Sequence, residues 1–139
     1  MTPTMLKSKP FLDLDAVKRI AAAAEGEAQR HGWAVSIAIV DDGGHLLWLQ
    51  RLDGAAPISS HIAPAKARTA AVGRRESKVY EEMINQGRMS FLSAPDLHGM
   101  LEGGVPIVVA GQCVGAVGVS GVKSGEDAQI ARAGIAALG

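Results

Sequence analysis

Arg51 closes a strand-like run and Lys66 lies inside an alanine-rich helical stretch, so a fold that returns the helix over the strand end directs two cations at one pocket. A carboxylate suits such a pair, because guanidinium and ammonium both donate charge-assisted hydrogen bonds to it. Thr69 follows Lys66 by about one helical turn and offers a hydroxyl from the same side. Each side chain also has a plainer use: Arg51 can pair with Asp53 or Asp41, and Lys66 can extend into solvent.

Backbone donors are the second resource. Gly118-Val-Ser-Gly121 ends a strand just before a helix opened by Ser124, where free N–H groups and a helix N-terminus can hold an anion. Gly118, Ser120 and Gly121 are therefore binding candidates, with Gly103-Gly104 as a second wall; the same small residues would also let a strand pack under a helix. Asp41, Asp42, Glu126 and Asp127 lie nearest these motifs, and burial could raise one of them into the range of a general base. Asp41 and Asp127 are the carboxylate candidates for chemistry, beside Lys66 and Ser120 for proton transfer or water activation. A turn accounts equally for Asp41-Asp42, and a helix dipole for Glu126-Asp127. No two of His31, His45, His61 and His98 have helical metal-site spacing, so no metal centre is expected. Cys113 has no adjacent base, and Trp33 and Trp48 read as packing residues.

The elements that must position these groups follow from the apolar pattern. Asp13 or Asp15 caps a first helix with Leu14, Val17, Ile20, Ala21, Ala24 and Ala28 on one face, stopped at His31-Gly32. Ala34–Val40 and His45–Arg51 flank the Asp41–Gly44 turn as a hairpin. A second helix runs from Ser59 or Ser60 to about Val72 with Pro64 near its first turn, and a third from Glu76 to Gln86. The stretch from Arg88 to Gly104 reads as loop with a short strand. Pro106–Ala110 and Cys113–Val119 form a second hairpin about Gly111-Gln112, and a capping box of Ser124 with Asp127 opens the last helix, Ala128–Leu138. Two tight hairpins among helices imply an α+β domain built on an antiparallel sheet.

The chain has 139 residues, the length of one domain, here spanning 1–139. Its 14 basic and 14 acidic residues cancel, which argues against a nucleic-acid partner or an anionic membrane surface. With one cysteine and no apolar run long enough to cross a membrane at its start, a reducing, cytoplasmic setting is expected. Aromatics are only 4% of the chain, so the core must come from Ala, Val, Ile and Leu with close backbones.

Three stretches together resemble the GlcG/HbpS family, which includes the C-terminal domain of PduO-type proteins. They are Ser36-Ile-Ala-Ile-Val-Asp-Asp-Gly-Gly-His-Leu-Leu47, Arg51-Leu-Asp-Gly-Ala55 with Ala65-Lys-Ala-Arg-Thr-Ala70, and Gly103-Gly-Val-Pro-Ile107 with Gly115-Ala-Val-Gly-Val-Ser-Gly121. The resemblance implies a profilin-like α/β/α sandwich with a central antiparallel sheet of about five strands flanked by helices. It also implies a homo-oligomer, from dimer to octamer, that binds a small anionic molecule. Haem or a related tetrapyrrole is the cofactor it suggests, with His31 and His61 as axial candidates. The alternative is a small catabolic enzyme, a hydrolase, deaminase or tautomerase for an unsaturated keto, imino or hydroxy acid in aromatic-compound degradation.

Overall fold

A computed structural model of the chain describes residues 5–139. In chain order the elements are α1 (Leu14–Arg30), β1 (Ser36–Asp41), β2 (Leu46–Arg51), α2 (Ser59–Gly73), α3 (Ser77–Asn85), a 3-10 helix (Met89–Ser93), β3 (Gly104–Val109), β4 (Gln112–Ser120) and α4 (Ser124–Ala136). The four strands form one open sheet in the order β2-β1-β4-β3, antiparallel throughout. The expected fifth strand is not formed among the described residues. Most of the stretch read as loop with a short strand is a 3-10 helix and coil, in which Asp96 takes a positive φ of 63° incompatible with strand pairing. No helix among the described residues is long and apolar enough to cross a membrane.

The two faces of the sheet are filled differently. Ile37, Ile39, Val105, Ile107, Val117 and Val119 meet α1 and α4, whose Val17, Ile20, Ala24 and Ile130 complete the larger core. Asp13 caps α1 by accepting from the Ala16 N–H at 2.8 Å, and apolar residues at helical spacing then turn one stripe to the sheet. On the opposite face Ala38, Val40 and Ala116 pack against Ala63, Ala67, Ala70 and Ala71 of α2. There the backbones nearly touch: a Cβ on Gly118 would lie 2.1 Å from the Ala63 carbonyl oxygen. Alanine and glycine are what allow α2 to sit that deep, so its polar side chains are carried into the protein with it.

The turns depart from the expected positions by small steps. Val109 pairs with Gln112, so the residues of the second hairpin turn are Ala110-Gly111 rather than Gly111-Gln112, both at positive φ (50° and 74°), as the twist of a two-residue hairpin demands. At α4 the box also shifts by one residue. Lys123 precedes the helix and its N–H donates to Glu126 Oε1 at 3.3 Å, while Ser124 is already helical and Asp127 points elsewhere.

Candidate functional site

Asp127 is turned inward to Lys66. The Lys66 ammonium, only 4% exposed, donates to the Val119 carbonyl at 2.9 Å and to Asp127 Oδ2 at 3.2 Å. Asp127 Oδ1 accepts from the Val122 N–H at 3.1 Å. Burial pushes the Asp127 carboxyl above the usual range, outweighing the downward pull of Lys66 and the backbone donors. Gly103, at φ 135°, leaves space for the ammonium, since a Cβ there would approach Nζ to 2.7 Å. Ser120 follows Val119, is largely buried, and its hydroxyl makes no hydrogen bond among the described residues. Lys66 and Asp127 therefore do meet, at an interior junction of α2, β4 and α4 next to the strand end that carries Ser120. Lys66 does not reach solvent, because the close approach of α2 to the sheet buries its whole stem.

Other expected site residues have backbone neighbours where a ligand was expected. Thr69 is fully buried and its hydroxyl accepts from the Gly99 N–H at 3.3 Å. A Cβ on Gly104 would lie 2.2 Å from the Lys66 carbonyl, and one on Gly121 2.5 Å from the Ala34 carbonyl. With Gly118, these glycines are places of close chain packing. Asp41 organises the first hairpin turn, its Oδ1 accepting from the N–H groups of Gly43 and His45, each at 2.9 Å, with the His45 ring at 3.0 Å. Partial burial pulls its carboxyl upward, but these His45 and Gly43 hydrogen bonds outweigh it and hold Asp41 below the usual range. The turn lies at the opposite end of β1 from Ser36 and hence from Ser120.

Arg51 occupies a different place from Lys66. It pairs across β1 in a row Arg51–Ser36–Ser120, two strand spacings or about 10 Å from Ser120. Arg51 is exposed, makes no ion pair among the described residues, and lines an open groove of about 550 Å³ that does not include Lys66. The groove's other walls are Trp33, Glu25, Gln29, Gln50 and Asp53. The expected convergence of the two cations is thus not formed, since one lies on the edge strand and the other in the interior.

The groove brings in residues that the sequence reading set aside. Trp48 Nε1 donates to Gln50 Oε1 at 2.6 Å, and Gln50 Nε2 donates to Glu25 Oε1 at 2.7 Å. Trp33 stacks on His31 with ring centroids 4.3 Å apart and planes 17° apart. Trp33 also packs on the larger core, as a packing residue would. His31 Nε2 lies 3.2 Å from Glu27 Oε2 and 3.4 Å from Gln129 Nε2, so this nitrogen already has partners. His61 is exposed on the first turn of α2. No group of three His, Cys, Asp or Glu side chains among the described residues is arranged to hold a metal ion.

Known proteins share this architecture. The family described as haem-degrading protein HbpS-like matches residues 12–136. Protein GlcG of Escherichia coli is 57% identical over 115 residues, covering 83% of this chain and 85% of that protein. A crystal structure of a double mutant of Streptomyces reticuli HbpS superposes with a TM-score of 0.87 at 35% identity, covering 100% of this chain and 94% of that one. A crystal structure of a PduOC:heme complex gives 0.83 at 26% identity, covering 92% and 95%. With a family match over nearly the whole described length and close relatives at this identity and coverage, the chain belongs to the HbpS-like family.

Proposed function

We propose that this protein is a small-ligand-binding protein that holds a carboxylate-bearing molecule in the Arg51 groove. The observation that carries the reading is an exposed guanidinium without an acidic partner, on the wall of a groove within the usual size range of ligand sites. A homo-oligomer is part of the proposal, supported by apolar side chains left open on and beside the edge strand β2, with Leu46 53%, Leu49 42% and Val72 42% exposed. A cytoplasmic location is part of it too, on the strength of the free thiol of Cys113.

Haem is the candidate ligand that the family description and the PduOC:heme complex raise. A propionate suits Arg51. The macrocycle does not suit the groove of a single chain, whose walls carry Glu25, Gln29, Gln50 and Asp53 with only Trp33, Ala34 and Leu52 to offer apolar surface. Direct titration decides the matter: haem binding through the named histidines gives a saturable Soret shift that is lost in His31→Ala or His61→Ala. The catabolic-enzyme reading, with an unsaturated keto, imino or hydroxy acid as substrate, draws support from a different observation. Lys66 pairs with Asp127, whose carboxyl burial raises, beside the end of β4 that carries Ser120.

Arg51→Ala tests the main proposal. Loss of one charge-assisted hydrogen bond lowers affinity for small carboxylates about ten- to a hundredfold, read by calorimetry with the melting temperature unchanged. Equal affinity in the two proteins refutes it.

A further inference from the structure

The charged wall of the Arg51 groove is not uniformly cationic. Glu25 and Asp53 line it with Arg51, so carboxylates outnumber the guanidinium. Glu25 is held in place by the hydrogen-bond chain from Trp48 through Gln50, which engages Oε1 and leaves Oε2 without a hydrogen bond among the described residues. The chain is anchored, because the Trp48 ring packs on the larger core. Asp53 is exposed and likewise makes no ion pair or hydrogen bond among the described residues. Trp33, backed by the stacked ring of His31, adds a flat aromatic wall.

A ligand that is only anionic satisfies Arg51 and then meets two like charges, which is unfavourable at close range. A ligand that is only cationic leaves Arg51 unmatched. We infer that the groove recognises an amino-carboxylate with a flat apolar body, its carboxylate on Arg51, its ammonium on Glu25 and Asp53, and its body against Trp33. This rests on the carboxylate reading above and narrows it to a zwitterion. The fixed Glu25 supplies the acceptor and the aromatic wall favours a cation near its face as well.

Three probes with the same ring separate the terms: phenylalanine carries both charges, phenylpyruvate only the carboxylate, and phenethylamine only the ammonium. Calorimetry on the full chain is expected to rank phenylalanine tightest. Glu25→Gln, which retains an oxygen for the Gln50 donor, and Asp53→Asn each weaken phenylalanine and phenethylamine about tenfold and leave phenylpyruvate unchanged or improved. Arg51→Ala weakens phenylalanine and phenylpyruvate but not phenethylamine. If phenylpyruvate binds tightest and depends on Arg51, the zwitterion inference is overturned while the carboxylate reading stands. If none of the three binds, or binding ignores Arg51, both are overturned. Circular dichroism on each variant separates lost binding from lost folding, since these side chains lie at the surface or at its edge.

Discussion

Replacing Lys66 by Met removes one member of a pair whose partners are 4% and 2% exposed, and the cost is expected to depend on pH. Breaking a buried ion pair costs about 3–5 kcal/mol because the remaining charge is left uncompensated, roughly 10–20 °C in melting temperature for a domain of this size. Asp127 has an escape, however. Its carboxyl already stands above 3.8 through burial, and Lys66 is the strongest influence holding it down, so without Lys66 it accepts a proton more readily still. The folded variant then binds a proton that the unfolded chain has released, and its stability falls as pH rises through the folded-state pKa. The cost of Lys66→Met is thus expected to be smaller in acid and to grow as pH rises, measured by denaturant unfolding at about pH 5 and at about pH 8. Asp127→Leu on top of Lys66→Met restores most of the loss at the higher pH, since neither charge remains. A cost in Lys66→Met that stays below about 1 kcal/mol at both pH values, or that does not change between them, would refute the account of a desolvated pair.

Gly118→Ala is expected to abolish folding or lower the melting temperature by more than about 10 °C, because its Cβ would press on the Ala63 carbonyl and the Ala67 N–H, neither of which can move freely; unchanged melting refutes the close approach. Ala110→Asn is expected to stabilise by about 0.5–1 kcal/mol in chemical denaturation, since Asn tolerates the φ of 50° at which Ala110 is held and Asn-Gly is the favoured pair for such a turn. Asp41→Asn removes stability that is present at neutral pH: a carboxyl held below its unfolded value stabilises above that value and ceases to do so as pH falls through the folded one, so wild type and variant should converge in strong acid and separate above about pH 4. Light scattering over a dilution series from micromolar protein is expected to show an oligomer, and a clean monomer mass throughout refutes it.

Most of the architecture was legible because it follows from local pattern. The stripe of Val17, Ile20, Ala21, Ala24 and Ala28 specified α1, Asp13 its start, and the turn glycines both hairpins. The failures were of three physical kinds. A strand was expected before Gly104 because β-propensity without a partner strand carries little information, and Asp96 at positive φ broke the run. The spacing of Asp127 from Ser124 suits a capping box, yet Glu126 takes that place and the two oxygens of Asp127 accept from the buried Lys66 ammonium of a distant helix and from the Val122 N–H. The site itself was half legible. Arg51 was singled out, and it lines the groove, but Glu25, Gln50 and Trp33 could not be found from spacing, because a groove between the end of one helix and an edge strand is a tertiary fact.

The same composition decides where in this fold a ligand can be held. The face of the sheet under α2 is built from Ala38, Val40, Ala116 and Gly118 against alanines, so no volume is left there. Every polar group that α2 carries inward is consumed locally, Lys66 by Asp127 and Val119, and Thr69 by Gly99. The opposite face is filled by Ile and Val of the sheet and both terminal helices. Open space borders the end of the sheet, where β2 stops at Arg51 and α1 stops at Arg30, and where the two termini leave a gap that neither element crosses. There the side chains are long, charged and largely uncommitted, the opposite of the interior. A cation that must compete with few partners and little desolvation can be spent on a ligand, whereas Lys66, once buried, is more valuable to the fold than to binding. The difference between these two cations, one buried in a pair and one free at an edge, is therefore the physical reason for seeking recognition at Arg51 first.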